Sequence, residues 1–187
     1  SRVARRATTA LLAASAGIVA ATVSVGRVWL GDHAALTRLV WAEDGLFALC
    51  VRAHGVLACA VDPYAGYLLA LPRVVAWPVS LAPMDAWPLA TNLAAAVVAG
   101  LLASLAVLVL RAGRSGAVAS VMVALLPVVV PIMAFEAINV TASAYMPLLF
   151  VAALALCFPP SGAFRTWAYA AGLLIVALTI PSSAILL

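Results

Sequence analysis

Five stretches without a single charged residue run through this chain: Ala7 to Gly26, Ala86 to Leu110, Ser115 to Phe135, Ala137 to Phe164 and Thr166 to Leu187. Each reaches the length of about 20 helical residues that crosses a hydrocarbon core about 30 Å thick. Backbone groups in such a core find no water, so a crossing segment must satisfy its own hydrogen bonds, and runs of this length do so as helices. Of the 187 residues 67% are hydrophobic and only 9% charged, against about a quarter charged in a soluble domain. No water-soluble core can hide that much apolar surface. The expected fold is all-α: a polytopic transmembrane helix bundle, with five spanning helices forming one domain over residues 1–187.

The first stretch has the Arg-rich front and small residues of a signal peptide, but it is longer than the usual apolar region and lacks a convincing cleavage site. A retained first helix is expected. The chain starts at Ser1 rather than Met and ends inside the apolar run Ile185-Leu186-Leu187, which suggests the N-terminal portion of a longer protein. All ten basic residues are Arg, and Ala and Val abound, a bias of GC-rich genomes that points to a bacterium, an actinobacterium in particular. The net charge of +4 does not argue for nucleic acid, because no basic patch interleaved with aromatics stands outside the membrane flanks.

Short loops that stay in the cytoplasm are enriched in Lys and Arg. Arg2, Arg5 and Arg6 before the first helix, Arg111 and Arg114 after the second and Arg165 before the fifth therefore belong inside. That threading puts the N-terminus in the cytoplasm and sends Asp32, Glu43, Asp44, Asp62, Asp85 and Glu136, all the acids present, to the outer side. The one long connection, Arg27 to Asp85, holds four Arg, five acids and both His residues. It is too long for a simple turn. In its outer loop, 31–85, Trp41 to Leu57 and Tyr67 to Pro83 are apolar but broken by Arg, Pro and acids, which predicts juxtamembrane helices at the interface. Tyr64, Tyr67, Trp77 and Trp87 suit that headgroup level. In a competing threading Tyr67 to Met84 spans, which would carry Arg73 to membrane depth at a cost of about 2.5–3.5 kcal/mol.

Three outer segments carry candidate chemistry. In Trp41-Ala42-Glu43-Asp44-Gly45 two adjacent carboxylates sit at a low-dielectric boundary; mutual repulsion and desolvation should raise one pKa toward that of a general base, while the plain alternative is acids complementing a helix N-terminus. In Asp62-Pro63-Tyr64-Ala65-Gly66-Tyr67, followed by Pro72-Arg73, a tight turn precedes a lone Arg that wants an anion. That anion is the lipid phosphate of a substrate or, plainly, Asp62, Asp85 or an ordinary phospholipid headgroup. In Glu136 to Ser143, a helix would align Glu136, Asn139 and Ser143 on one face, either to hold a sugar hydroxyl or only to join helices. Asn139-Val140-Thr141 also matches a glycosylation acceptor, discounted in a bacterial protein.

Cys50 and Cys59 share the outer segment, where an oxidising environment permits a disulfide, and Cys157 reads as a small packing residue. His33 and His54 flank the acids, so a metal held with Glu43 or Asp44 is conceivable, although the spacing matches no strong ligand pattern. No phosphate loop, zinc spacing or nucleophile elbow is present. Small residues such as Gly100 and Ser104 indicate close helix packing.

One helix, a long outer connection opening on the acidic pair Glu43-Asp44, interfacial helices, and then closely spaced spanning helices: this layout resembles the N-terminal module of the GT-C glycosyltransferases, membrane enzymes that use polyprenyl-phosphate-linked sugars as donors. Tyr64-Ala65-Gly66-Tyr67 with Pro72-Arg73, and Glu136 with Asn139 and Thr141, are similar to patterns in bacterial membrane proteins of this kind. The resemblance implies that Asp44 is the base that deprotonates an acceptor hydroxyl and that Glu43 orients the acceptor or helps bind a divalent cation, Mg or Mn. It further implies that Arg73 neutralises the leaving phosphate, and that Tyr64, Tyr67, Glu136 and Asn139 line the substrate pocket. The acceptor would be a cell-envelope glycan or lipid, reached from the bacterial plasma membrane. Two other classes stay open: a flippase or transporter of a lipid-linked sugar, and a non-catalytic assembly subunit. Transporters often carry repeats and charges within their helices, whereas the apolar runs of helices two to five hold no charge.

Overall fold

A computed structural model describes residues 2–38, 40, 42–63, 68–130, 145–157 and the single positions 170, 172, 174 and 176. The described residues form helices and turns without a strand. Helix α1 spans Arg2–Arg38, α2 Ala42–His54, α3 Val56–Val61 and α4 Ala70–Leu81; a 3-10 turn at Met84–Ala86 leads into α5, Trp87–Ala112, followed by α6, Ala117–Val129, and α7, Tyr145–Cys157. Among the described residues two helical segments are long and apolar enough to cross a membrane, Val3–Gly31 and Met84–Ala112.

Helix α1 runs well past Gly26, where the uncharged stretch ends. Charges at Arg27, Asp32 and Arg38 do not break a helix, and no proline occurs before Pro63, so nothing in the backbone stops it there. Helix α6 shows the reverse. The apolar run continues to Phe135, but Val130 turns extended at φ −82° and ψ 124° because it precedes Pro131, whose ring disfavours helical backbone in the residue before it. Arg27 reaches across from α1 and donates from Nη1 to the Val128 carbonyl at 2.9 Å, satisfying an acceptor that the interrupted helix leaves orphaned.

The main seam is antiparallel, α1 against α5. A Cβ on Gly100 would lie 2.7 Å from the Gly17 carbonyl oxygen, so only hydrogen fits between the two backbones, and Ser104 donates from Oγ to the Ala13 carbonyl at 2.9 Å one turn away. Carried along both helices, that register sets Arg5 and Arg6 level with Arg111, and position 32 level with Asp85. The bundle thus has an arginine end and an acid end. At the arginine end α5 closes with Arg114 in left-handed backbone, φ 67°. Ser115 N–H bonds to the Leu110 carbonyl and Arg114 N–H to that of Arg111, the two bonds of a Schellman cap. Helices α6 and α7 then cover α5, burying Ala13, Ala16, Val98, Leu102, Ala106, Val107, Ala124, Leu148 and Val151.

Outward, α5 presents Leu89, Leu93, Val97, Leu101, Leu105 and Leu108, and α1 presents Leu11, Ile18, Trp29 and Leu30, all exposed. A stripe recurring every four residues covers one whole side of a helix. An apolar surface of that extent calls for a covering phase or partner.

Helices α2 and α4 fall within the two outer-loop segments expected to be helical, with differences in detail. The first is cut at Gly55, φ 86°, so that α3 forms as a separate six-residue turn of helix. The second does not lie apart from the bundle: Leu71 and Val75 of α4 pack on the bundle core, while Leu69, Ala76 and Val79 join Phe47, Ala48, Val51, Cys59 and Trp87 in a second core. At 12 residues, α4 is about 18 Å long at 1.5 Å per residue.

Candidate functional site

The second core forms at the acid end, and its polar members are set by the periodicity of α2. Asp44 lies in the first turn of that helix, where the positive end of the dipole favours an anion. Three and four residues on come Phe47 and Ala48, so Asp44 shares their inward face. It is buried, 2% exposed. Glu43, one position earlier and about 100° around the helix, is half-buried. The two acids therefore have different surroundings although they adjoin in sequence.

On α4, which packs against α2, Arg73 is in phase with Leu69, Ala76 and Ser80 and only 3% exposed. Its guanidinium lies 5.1 Å from the centre of the Phe47 ring, a cation–π distance. Its Nη1 donates to the Cys59 carbonyl and lies 3.4 Å from Asp62 Oδ2. Asp62 is the partner that the plain reading of Arg73 named. The Asp62 side chain is 61% exposed, so water screens this pair and it contributes about 1 kcal/mol or less. Among the described residues Arg73 Nε is buried without a hydrogen-bond partner, as is Thr91 Oγ1 on α5. Leaving a buried donor unmade costs about 1–3 kcal/mol.

Cys50 and Cys59 are joined by a disulfide, with Cα atoms 6.0 Å apart. It ties α3 back to α2 across a nine-residue separation and contributes about 2.5 kcal/mol in a chain-entropy account of so short a loop. A six-residue helix has no stability of its own. Around the rim Arg52 lies 5.9 Å from the Trp87 ring, whose Nε1 donates to the Ala82 carbonyl, and His54 is exposed.

Of the expected site residues, Glu43 and Asp44 stand on α2 and Arg73 on α4, two helices that pack together. Tyr64, Tyr67, Glu136 and Asn139, together with Thr141 and Ser143, lie outside the described residues, as does the His33 side chain. Cys157 is free and exposed at the end of α7 rather than packed inside. Among the described residues no three His, Cys, Asp or Glu side chains come together as metal ligands.

Reading the sequence missed Phe47 and the Cys59 carbonyl. Phe47 was findable from its spacing to Asp44; a backbone acceptor carries no sequence signal. Thr91 was hidden among apolar residues of α5. No protein-family model, curated protein or solved structure matches the chain.

Proposed function

We propose that the chain belongs to a polytopic, GT-C-type membrane glycosyltransferase of the bacterial plasma membrane. It transfers a sugar from a polyprenyl-phosphate donor to a cell-envelope glycan or lipid on the outer face. The observation that carries this reading is that a carboxylate on α2 and a guanidinium on α4, the helices that share the second core, are both buried: Asp44 is 2% and Arg73 3% exposed. Membrane placement draws support from the outward apolar stripes of α1 and α5. The orientation rests on the arginine end facing the cytoplasm and on a disulfide at the opposite end, where oxidising conditions allow it to persist. In this placement α6, α7 and the segment after Arg165 supply the further spans, five in all.

Asp44 takes the proton from an acceptor hydroxyl as its oxygen bonds to the anomeric carbon. The bond from that carbon to the lipid-phosphate oxygen breaks, and the phosphate leaves with the electron pair. Arg73 offsets the phosphate charge, an effect that strengthens where water is excluded, with Nε–H as a donor that no described group uses. Glu43, closer to solvent, orients the acceptor, and Tyr64, Tyr67, Glu136 and Asn139 shape the pocket.

The test is sugar transfer by the purified full-length protein from a polyprenyl-phosphate donor. Asp44→Asn should lower turnover by about 100-fold or more while leaving helix content and membrane insertion unchanged; wild-type turnover in that variant would remove Asp44 from the mechanism. Arg73→Ala should raise the KM for donor more than for acceptor, and an equal rise would count against its phosphate role. No transfer, but movement of the lipid-linked sugar across liposomes, would mark a flippase instead.

A further inference from the structure

Both acceptors that meet Arg73 come from one short segment. The Cys59 carbonyl belongs to α3, and Asp62 is the residue that caps it. That segment has two anchors: the Cys50–Cys59 disulfide, which fixes it to α2, and Arg73, which fixes it to α4. Gly55, at φ 86°, is the joint between α2 and α3. These acceptors hold Arg73 in its seat: among the described residues its Nε has no hydrogen-bond partner, and its guanidinium otherwise lies over the Phe47 ring. A buried guanidinium that loses its remaining acceptors is strongly disfavoured and moves to water if its flexible stem allows.

We infer that the Cys50–Cys59 disulfide is the positioning element for Arg73, and that its reduction releases α3 and brings the guanidinium out of the core. In the reductive step a dithiol supplies two electrons and two protons. The S–S bond breaks, Cys50 and Cys59 become thiols, and the dithiol becomes a disulfide. Cys59 is fully buried whereas Cys50 is half-buried, so Cys50 is the sulfur the reductant reaches first. Release of Arg73 follows whatever substrate the chain acts on, so its test is separate from that of sugar transfer.

The experiment is arginine labelling with phenylglyoxal on the full chain in lipid nanodiscs, read site by site by mass spectrometry with and without dithiothreitol, with thiol alkylation reporting reduction. Exposed Arg52 serves as the reference and Arg27, bonded to Val128 in the bundle, as the monitor of global integrity. With the disulfide intact, Arg73 should label at about one tenth of the Arg52 rate or slower, and reduction should speed it about tenfold while Arg27 is unchanged, as expected for a local opening. The Cys50→Ser/Cys59→Ser variant should match the reduced protein without any reductant. Arg73 that stays protected after complete reduction, or labels rapidly before it, overturns the inference. So does a parallel rise at Arg27, which would mean that the whole chain had opened.

Discussion

At Gly17 and Gly100 helices α1 and α5 meet backbone to backbone, whereas α2, α3 and α4 meet through a phenyl ring, a disulfide and a guanidinium. The first contact is spread over many small residues along the two longest helices, each adding a little dispersion energy. The second concentrates on a few specific ties between short helices. A seam of small residues carries no charge and no redox-active group, so neither salt nor reductant can loosen it. The α2–α4 cluster carries both, and it forms a unit that can open without the bundle opening. The cluster also holds the buried carboxylate and guanidinium, so the region with the chemistry is the region with the conditional stability.

Widening the seam should do the greatest harm. Gly100→Leu places a Cβ 2.7 Å from the Gly17 carbonyl oxygen, a backbone atom that cannot swing aside. The two helices must separate, at a cost of about 3 kcal/mol from overpacking and lost contact. Thermal unfolding in micelles should show a lower Tm for the whole helical signal, and an unchanged Tm would mean that α1 and α5 are not the bundle's main seam. Next comes Cys50→Ser/Cys59→Ser, expected to cost about 2.5 kcal/mol, with the loss confined to the cluster. Hydrogen exchange should quicken in α2 and α3 while α5 stays protected. Equal quickening in both would erase the distinction between the two regions.

How far the sequence could be read follows the same division. Hydropathy marked α5 almost to the residue, because Trp87-Pro88 and the Arg111 turn bound an uninterrupted apolar run. It placed the end of α1 too early, because charge reports unsuitability for lipid rather than unsuitability for helix, and α1 runs on to Arg38. It placed the end of α6 too late for the opposite reason: Pro131 stops the backbone while the side chains remain apolar. In the cluster, the positions of Asp44, Arg73 and the two cysteines were visible as residue types out of place in an apolar chain. Their mutual geometry was not. Which face of α4 meets α2 depends on Leu69, Ala76 and Val79 packing against Phe47, and nothing in the spacing of those residues distinguishes that core from the bundle core that Leu71 and Val75 join.

Smaller effects separate the two kinds of contact more finely. Asp62→Asn removes the one carboxylate within ion-pair distance of Arg73 among the described residues. Because the Asp62 side chain is 61% exposed, the loss should be about 1 kcal/mol or less, and it should shrink in high salt as the wild-type pair is screened. A loss that salt does not touch would mean that Asp62 acts as a hydrogen-bonding shape rather than as a charge.

Ser104→Ala should cost least, about 0.6 kcal/mol for one hydrogen bond between membrane-type helices, and it decides what holds the seam. A Cβ on Gly17 would meet Ser104 Oγ at 2.2 Å but also the Gly100 carbonyl oxygen at 2.8 Å. If the serine were the obstacle, Gly17→Ala would become harmless once Ser104 is alanine. Because a backbone oxygen stands behind it, Gly17→Ala should remain destabilising in the Ser104→Ala background, with its penalty reduced but not removed. A double-mutant cycle read by thermal unfolding measures the difference. Full rescue would show that side chains set the spacing of α1 and α5, and partial rescue that the two backbones do.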